Sequence, residues 1–142
     1  MQQRILWLKT GSVITLVTGL IIAAAAVPAL NAPTLWLFDL VVFPLDGAQS
    51  LQGTEQRLLC AITGGLMGGL GVLMWLVTTE VFATHPALGR SLILKSIGTW
   101  FIIDSSMSIA AGAPLNVIGN VGFLLVFTLP VLSSSLVREQ AA

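Results

Sequence analysis

Four long apolar stretches, with nearly all the positive charge on one side of them, constrain this chain more than any other feature. Lys9–Leu30, Leu58–Phe82, Ser91–Gly112 and Pro114–Leu136 are rich in Leu, Ile, Val, Ala and Gly and hold few charges. A hydrocarbon core of about 30 Å is crossed by about 20 helical residues, and each stretch reaches that length. The pattern predicts an all-α, polytopic membrane protein with four transmembrane helices.

Composition points the same way. Of 142 residues, 56% are apolar and only 8% are charged, whereas charged residues make up about a quarter of a soluble domain. Once four spans are set aside, too little chain remains for a water-soluble domain. Residues 1–142 are therefore expected to form one membrane-embedded domain with short loops. A net charge of zero leaves no electrostatic footprint for nucleic acid. The first stretch has a rival reading as a signal peptide, since Arg4 and Lys9 precede it and Val27-Pro28-Ala29 follows. Its run from Gly11 to Ala29 is longer than the usual signal core of about 7–15 residues, so a retained helix is expected.

Orientation follows from Lys and Arg in the short loops. Arg4 and Lys9 precede span one, Arg90 and Lys95 sit at the start of span three, and Arg138 follows span four. With four spans these five share one side, and only Arg57 falls on the other. Both termini are expected in the cytoplasm. The first loop and the tight Gly112-Ala113-Pro114 turn are then outside.

The loop from Asn31 to Arg57 is the one long connection. Its apolar half, Thr34 to Leu45, is too short to span and carries Trp36, Phe38 and Phe43. Segments of that length lie at the interface or re-enter, and aromatic rings favour the headgroup boundary. A short surface helix ending at Phe43-Pro44 is expected, then a turn at Asp46-Gly47. Thr54 is the candidate cap of the second span. Pro114 opens the fourth span, and Pro130 inside it removes one backbone donor.

Two features within the spans could carry function. Span two contains Gly64, Gly65, Gly68, Gly69 and Gly71; Cys60, Gly64, Gly68 and Gly71 share a helical face. Small residues at four-residue spacing let helices approach closely in lipid. Such a face packs against another span of the same chain or against another subunit. The second feature is Asp104, well inside span three. A charge at bilayer depth costs about 2.5–3.5 kcal/mol, so this residue needs a partner, water or a proton. Counting through the turn places Asn120 at similar depth, with Asn116 one turn nearer the surface on the same face. Asp104, Asn116 and Asn120 are the candidate polar cluster, with Arg57 able to reach in from span two. The cluster would either fix the packing of spans three and four or line a path for a cation or proton.

Little else supports chemistry. Cys60 is the sole cysteine and cannot close an internal disulfide. The single histidine, His85, precedes a proline in a loop. No metal-ligand constellation and no nucleophile–base pair is visible, and nothing specifies a cofactor.

Several strings carry a resemblance: Phe43-Pro44-Leu45-Asp46-Gly47, Glu55-x-Arg57-Leu58-Leu59, Trp100-Phe101-Ile102-Ile103-Asp104-Ser105, and Ala113-Pro114-Leu115-Asn116 with Asn120. In these the chain resembles a family of small four-span bacterial inner-membrane proteins, along most of its length. The resemblance implies the bacterial inner membrane and transfers no activity. By elimination, the expected function is a non-catalytic accessory or assembly subunit of a larger inner-membrane complex, or a self-associating protein. The alternative is a small homo-oligomeric channel or transporter that uses the Asp/Asn cluster.

Overall fold

The computed structural model describes residues 1–132. Among these the chain is all helical: α1 (Gln2–Ala24), α2 (Ala32–Val41), α3 (Thr54–Leu76), α4 (Pro86–Ala110) and α5 (Asn116–Leu132). A π-helical segment, Val77–Phe82, continues α3. Three helices are long and apolar enough to cross a membrane: α1, α3 with its π extension, and α4. The 17 described residues of α5 measure about 26 Å. The expected end of the fourth span and Arg138 lie outside the described residues.

Boundaries shift from the sequence expectation for identifiable reasons. Helix α1 starts seven residues before Lys9 because Lys9 need not leave the helix: its Nζ lies 4.5 Å from the centroid of the Trp75 ring on α3, a cation–π contact that shelters the charge. The same helix ends at Ala24 ahead of Val27, which precedes Pro28 and is extended (φ −95°, ψ 117°), the conformation favoured before proline. Pro86 occupies the first turn of α4, where its missing N–H costs nothing. The cap of α3 is Gly53 rather than Thr54. Gln56 Oε1 accepts from the Gly53 N–H at 3.1 Å, and Thr54 Oγ1 instead accepts from Arg57 Nη2.

Helices α1 and α3 form the tightest pair. A Cβ on Gly64 would strike Ala23 N and lie 2.5 Å from Gly19 O. One on Gly71 would sit 2.6 Å from Leu16 N and 2.8 Å from Ser12 O, and one on Gly19 would strike Gly68 N. The two backbones thus touch, which only hydrogen side chains allow, and dispersion between them favours the pairing. The partner positions on α1 are Ser12, Leu16, Gly19 and Ala23, whereas Gly11 faces Val126 and Phe127 of α5.

Helix α5 packs on the other side of α1, and α4 packs on α5 and on the π segment. The main core lies where they meet: Leu8, Met74, Phe82, Ile93, Ile97, Phe127 and Val131. The π segment turns Phe82 into this core, against Gly89 of α4, whose Cβ would fall 2.5 Å from Phe82 Cα. A second, smaller cluster of Ala25, Leu51 and Cys60 lies at the opposite end, covered by Leu35 and Phe38 of α2. Helix α2 is further tied down by Thr34 Oγ1, which donates to Ile21 O at 2.9 Å, one of the carbonyls that the end of α1 leaves without a helical partner.

Pro130 leaves another such carbonyl. Without its N–H, Val126 O has no helical donor. Trp7 Nε1 of α1 supplies one at 2.9 Å, so a helix break becomes an α1–α5 tie. Replacing Trp7 by Phe should cost about 1 kcal/mol of stability. In a Pro130→Ala background, where residue 130 can bond Val126 O itself, the same replacement should cost clearly less. Denaturation of the four variants in detergent micelles measures this, and equal losses in both backgrounds would refute the tie.

Candidate functional site

The site is set by the way α4 ends. Gly112 adopts φ +83°, the left-handed conformation that favours glycine. Its N–H donates to Ile109 O at 3.0 Å, and the Ala113 N–H donates to Ser108 O at 2.9 Å, together a Schellman motif. The chain reverses at once, and Asn116 N–H bonds Ala113 O to open α5. Two antiparallel helices therefore start their contact within a few residues of the turn.

Residues one helical turn apart then face each other in two rungs. Asn120 Nδ2 donates to Asp104 Oδ1 at 2.6 Å and to Ser105 Oγ at 3.1 Å. Asn116 Nδ2 donates to Asp104 Oδ1 at 3.0 Å and to Ser108 Oγ at 2.9 Å. The Ser108 hydroxyl donates to Asp104 Oδ1 at 3.2 Å. The structure brings Asp104, Asn116 and Asn120 together. Ser105 and Ser108 were not singled out from the sequence, although Asp104–Ser108 is an i, i+4 pair and so shares a face. Asp104 lies six residues before the end of α4, about 9 Å along the axis.

Arg57 does not join the cluster. Its guanidinium donates to Gln52 O at 3.2 Å and Thr54 Oγ1 at 3.3 Å, at the exposed start of α3. Asp104 thus makes no ion pair among the described residues. Nor do three His, Cys, Asp or Glu side chains converge anywhere among them.

Beside the cluster is a cavity of about 1140 Å³. It separates the α1–α3 pair from the α4–α5 pair at the end covered by α2. Asp104, Ser108, Asn116 and Asn120 form part of one wall, and Thr63, Leu66, Met67 and Leu70 of α3 form another. Leu37, Phe38, Leu40 and Val41 of α2 contribute at the rim. Toward the main core the floor is aromatic: Trp100 and Phe123 meet edge to face, centroids 6.0 Å apart, above Ile97 and Phe127. Asp104 is the only ionisable side chain among the described lining residues.

The other singled-out residues are placed as follows. Cys60, Gly64, Gly68 and Gly71 are buried, and Gly64 and Gly71 meet α1 directly. Gly65 and Gly69 lie on the far face, with open space where a Cβ would be. Trp36 and Phe43 are 63% and 80% exposed, as rings at a headgroup boundary would be. Phe38 turns inward onto Ala25, Leu51 and Cys60. Helix α2 stops at Val41, two residues before the Phe43-Pro44 end expected, as Val42 becomes extended.

Compared with known proteins, the chain matches no family model, no curated protein and no solved structure.

Proposed function

We propose that this chain is a four-span protein of the bacterial inner membrane, both termini cytoplasmic, that works by binding a small amphipathic molecule in the cavity beside Asp104. The single observation behind this reading is the cavity itself: a large apolar space with a fixed polar cluster on one wall. Ligand sites are of this kind, mostly apolar with a few placed polar groups, and typically about 300–1,000 Å³. Binding and release would need no covalent step, in keeping with the lack of a nucleophile–base pair in the sequence. A carrier or an accessory subunit that presents such a molecule to a neighbour would use the site in the same way.

Charge distribution supports the orientation. Among the described residues, Arg4, Lys9, Arg90 and Lys95 lie toward one end of the bundle and Arg57 toward the other. Reporter fusions at the two ends should both report the cytoplasm; opposite compartments would sink the four-span reading.

The cavity reading is tested with a photoreactive alkyl alcohol. Label should map to the α3 peptide around Thr63–Leu70 and the α5 peptide around Ile118–Phe123. Gly119 lines the cavity and has open space at its Cβ position, so Gly119→Phe is the variant chosen to occupy it. It should cut that label by about tenfold, the size expected when an apolar pocket is occluded. Label spread evenly over the lipid-facing surface, and unchanged by Gly119→Phe, would reject the site.

A second reading, association with other subunits or self-association, has Gly65 and Gly69 behind it. The Gly64 face is already filled by α1, while these two remain open at four-residue spacing. Gly65→Leu should then dissociate the assembly and leave the protomer folded. Gly64→Leu should instead unfold the protomer, since overpacking costs about 1–3 kcal/mol or more. Size-exclusion chromatography and thermal unfolding separate the two. An unchanged assembly in Gly65→Leu would exclude this face.

A further inference from the structure

We infer that the head of the molecule held in this cavity is an ammonium group with N–H donors, bound by Asp104, Asn116 and Asn120. The inference rests on the cavity reading and adds the chemistry of what enters.

Hydrogen-bond accounting carries it. An asparagine amide has two hydrogens. Both hydrogens of Asn120 are spent, on Asp104 Oδ1 and Ser105 Oγ, and both of Asn116, on Asp104 Oδ1 and Ser108 Oγ. The Ser108 hydroxyl hydrogen goes to Asp104 as well. Three oxygens are left over. Among the described residues, Asp104 Oδ2 and the amide oxygens of Asn116 and Asn120 accept no bond. No fully buried side-chain oxygen or nitrogen lacks a partner among the described residues, so these three atoms reach open space. The residues that bear them line the cavity. At the cluster, a head made only of acceptors, such as a carboxylate or a phosphate, would meet three oxygens, with the amide hydrogens of Asn116 and Asn120 already spent. A head with several N–H donors meets what it needs.

Charge gives the sign. Among the described residues Asp104 has no cationic partner, so a bound ammonium would be its counter-charge, and bonds between charged groups are roughly twice as strong as neutral ones. The wider field agrees. Among the described residues, the cavity end holds Asp39, Asp46, Glu55 and Asp104 against Arg57, a distribution that draws cations toward that end. A divalent cation would be left under-neutralised, since Asp104 is the one carboxylate among the described lining residues and the remaining wall is largely apolar. That wall fits the body of an amphipathic amine. The same ammonium occurs on an ethanolamine lipid headgroup and on a free amine.

The test uses the full chain in phosphatidylcholine nanodiscs, whose headgroups lack N–H donors. Dodecylamine, dodecanol and dodecanoate share one tail and compete against the photoreactive alcohol at matched membrane concentrations. Dodecylamine should compete at least about tenfold better than dodecanol, as expected for a hydrogen bond to a charged group. Dodecanoate should be the poorest. Asp104→Asn should erase the amine's advantage over the alcohol. The wild-type amine-to-alcohol ratio stands even if that variant does not fold. Equal potency of amine and alcohol, or a preference for dodecanoate, would overturn the ammonium assignment. Cavity labelling by the alcohol would still stand in that case, so the two failures are distinguishable. Adding phosphatidylethanolamine identifies the source: a weakened amine curve marks a lipid head as the occupant, and an unmoved curve marks a free amine.

Discussion

Contact between the backbones of α1 and α3 is the constraint on which the rest of the molecule depends. Gly19 sits against Gly64 and Gly68, and Gly71 against Ser12 and Leu16, with no room for a Cβ at Gly19, Gly64 or Gly71. In lipid, apolar side chains gain little by leaving one apolar surroundings for another, so close van der Waals fit and hydrogen bonds decide which helices pair. By drawing α3 onto one face of α1, this contact leaves the other face for α5. The α4–α5 pair is then wedged apart from α3 at one end. At the opposite end Phe82, Phe127 and Met74 fill the join. The cavity is the space that this unequal packing leaves.

A second constraint is that polar groups in the bilayer must find partners within the protein. Ser12, Thr15 and Thr78 are buried, and each returns its hydroxyl to the carbonyl four residues earlier. Thr34 and Trp7 serve carbonyls that the end of α1 and Pro130 leave open. These bonds close on themselves. The Asp104 cluster differs, because its asparagine amide hydrogens are spent within it and it leaves unpartnered acceptor oxygens on side chains that line the cavity. A cluster that served packing alone would not need to stand at the wall of a space of about 1140 Å³. That contrast is why the site, rather than the glycine face, carries the functional reading.

Much of this was legible in the chain. Apolar runs and proline positions locate the helices to within several residues, because span length and proline geometry are local properties. The depth of Asp104 and the four-residue step between Asn116 and Asn120 were enough to pair them across a short turn. Partner choice was not legible in the same way. The glycines of α3 are readable as two small faces, but nothing local says which one α1 takes. The complementary positions on α1, Ser12, Leu16, Gly19 and Ala23, follow steps of three and four residues and so were visible in principle as one face. Arg57 has the length to reach inward, yet carbonyls and hydroxyls at its own helix start hold it at the surface. Phe38 was grouped with Trp36 and Phe43, but two positions along a helix point well apart, and it turns inward.

Sequence alone therefore determined the helical class, the apolar segments and the closeness of Asp104 to two asparagines, since each depends on short-range periodicity and on the reach of one turn. Only the tertiary structure decided which glycine face is filled, that the serines complete the cluster, and that a cavity opens beside it. An empty space between helices belongs to no single segment. It depends on the relative positions of four helices at once, which residue spacing along one chain does not specify.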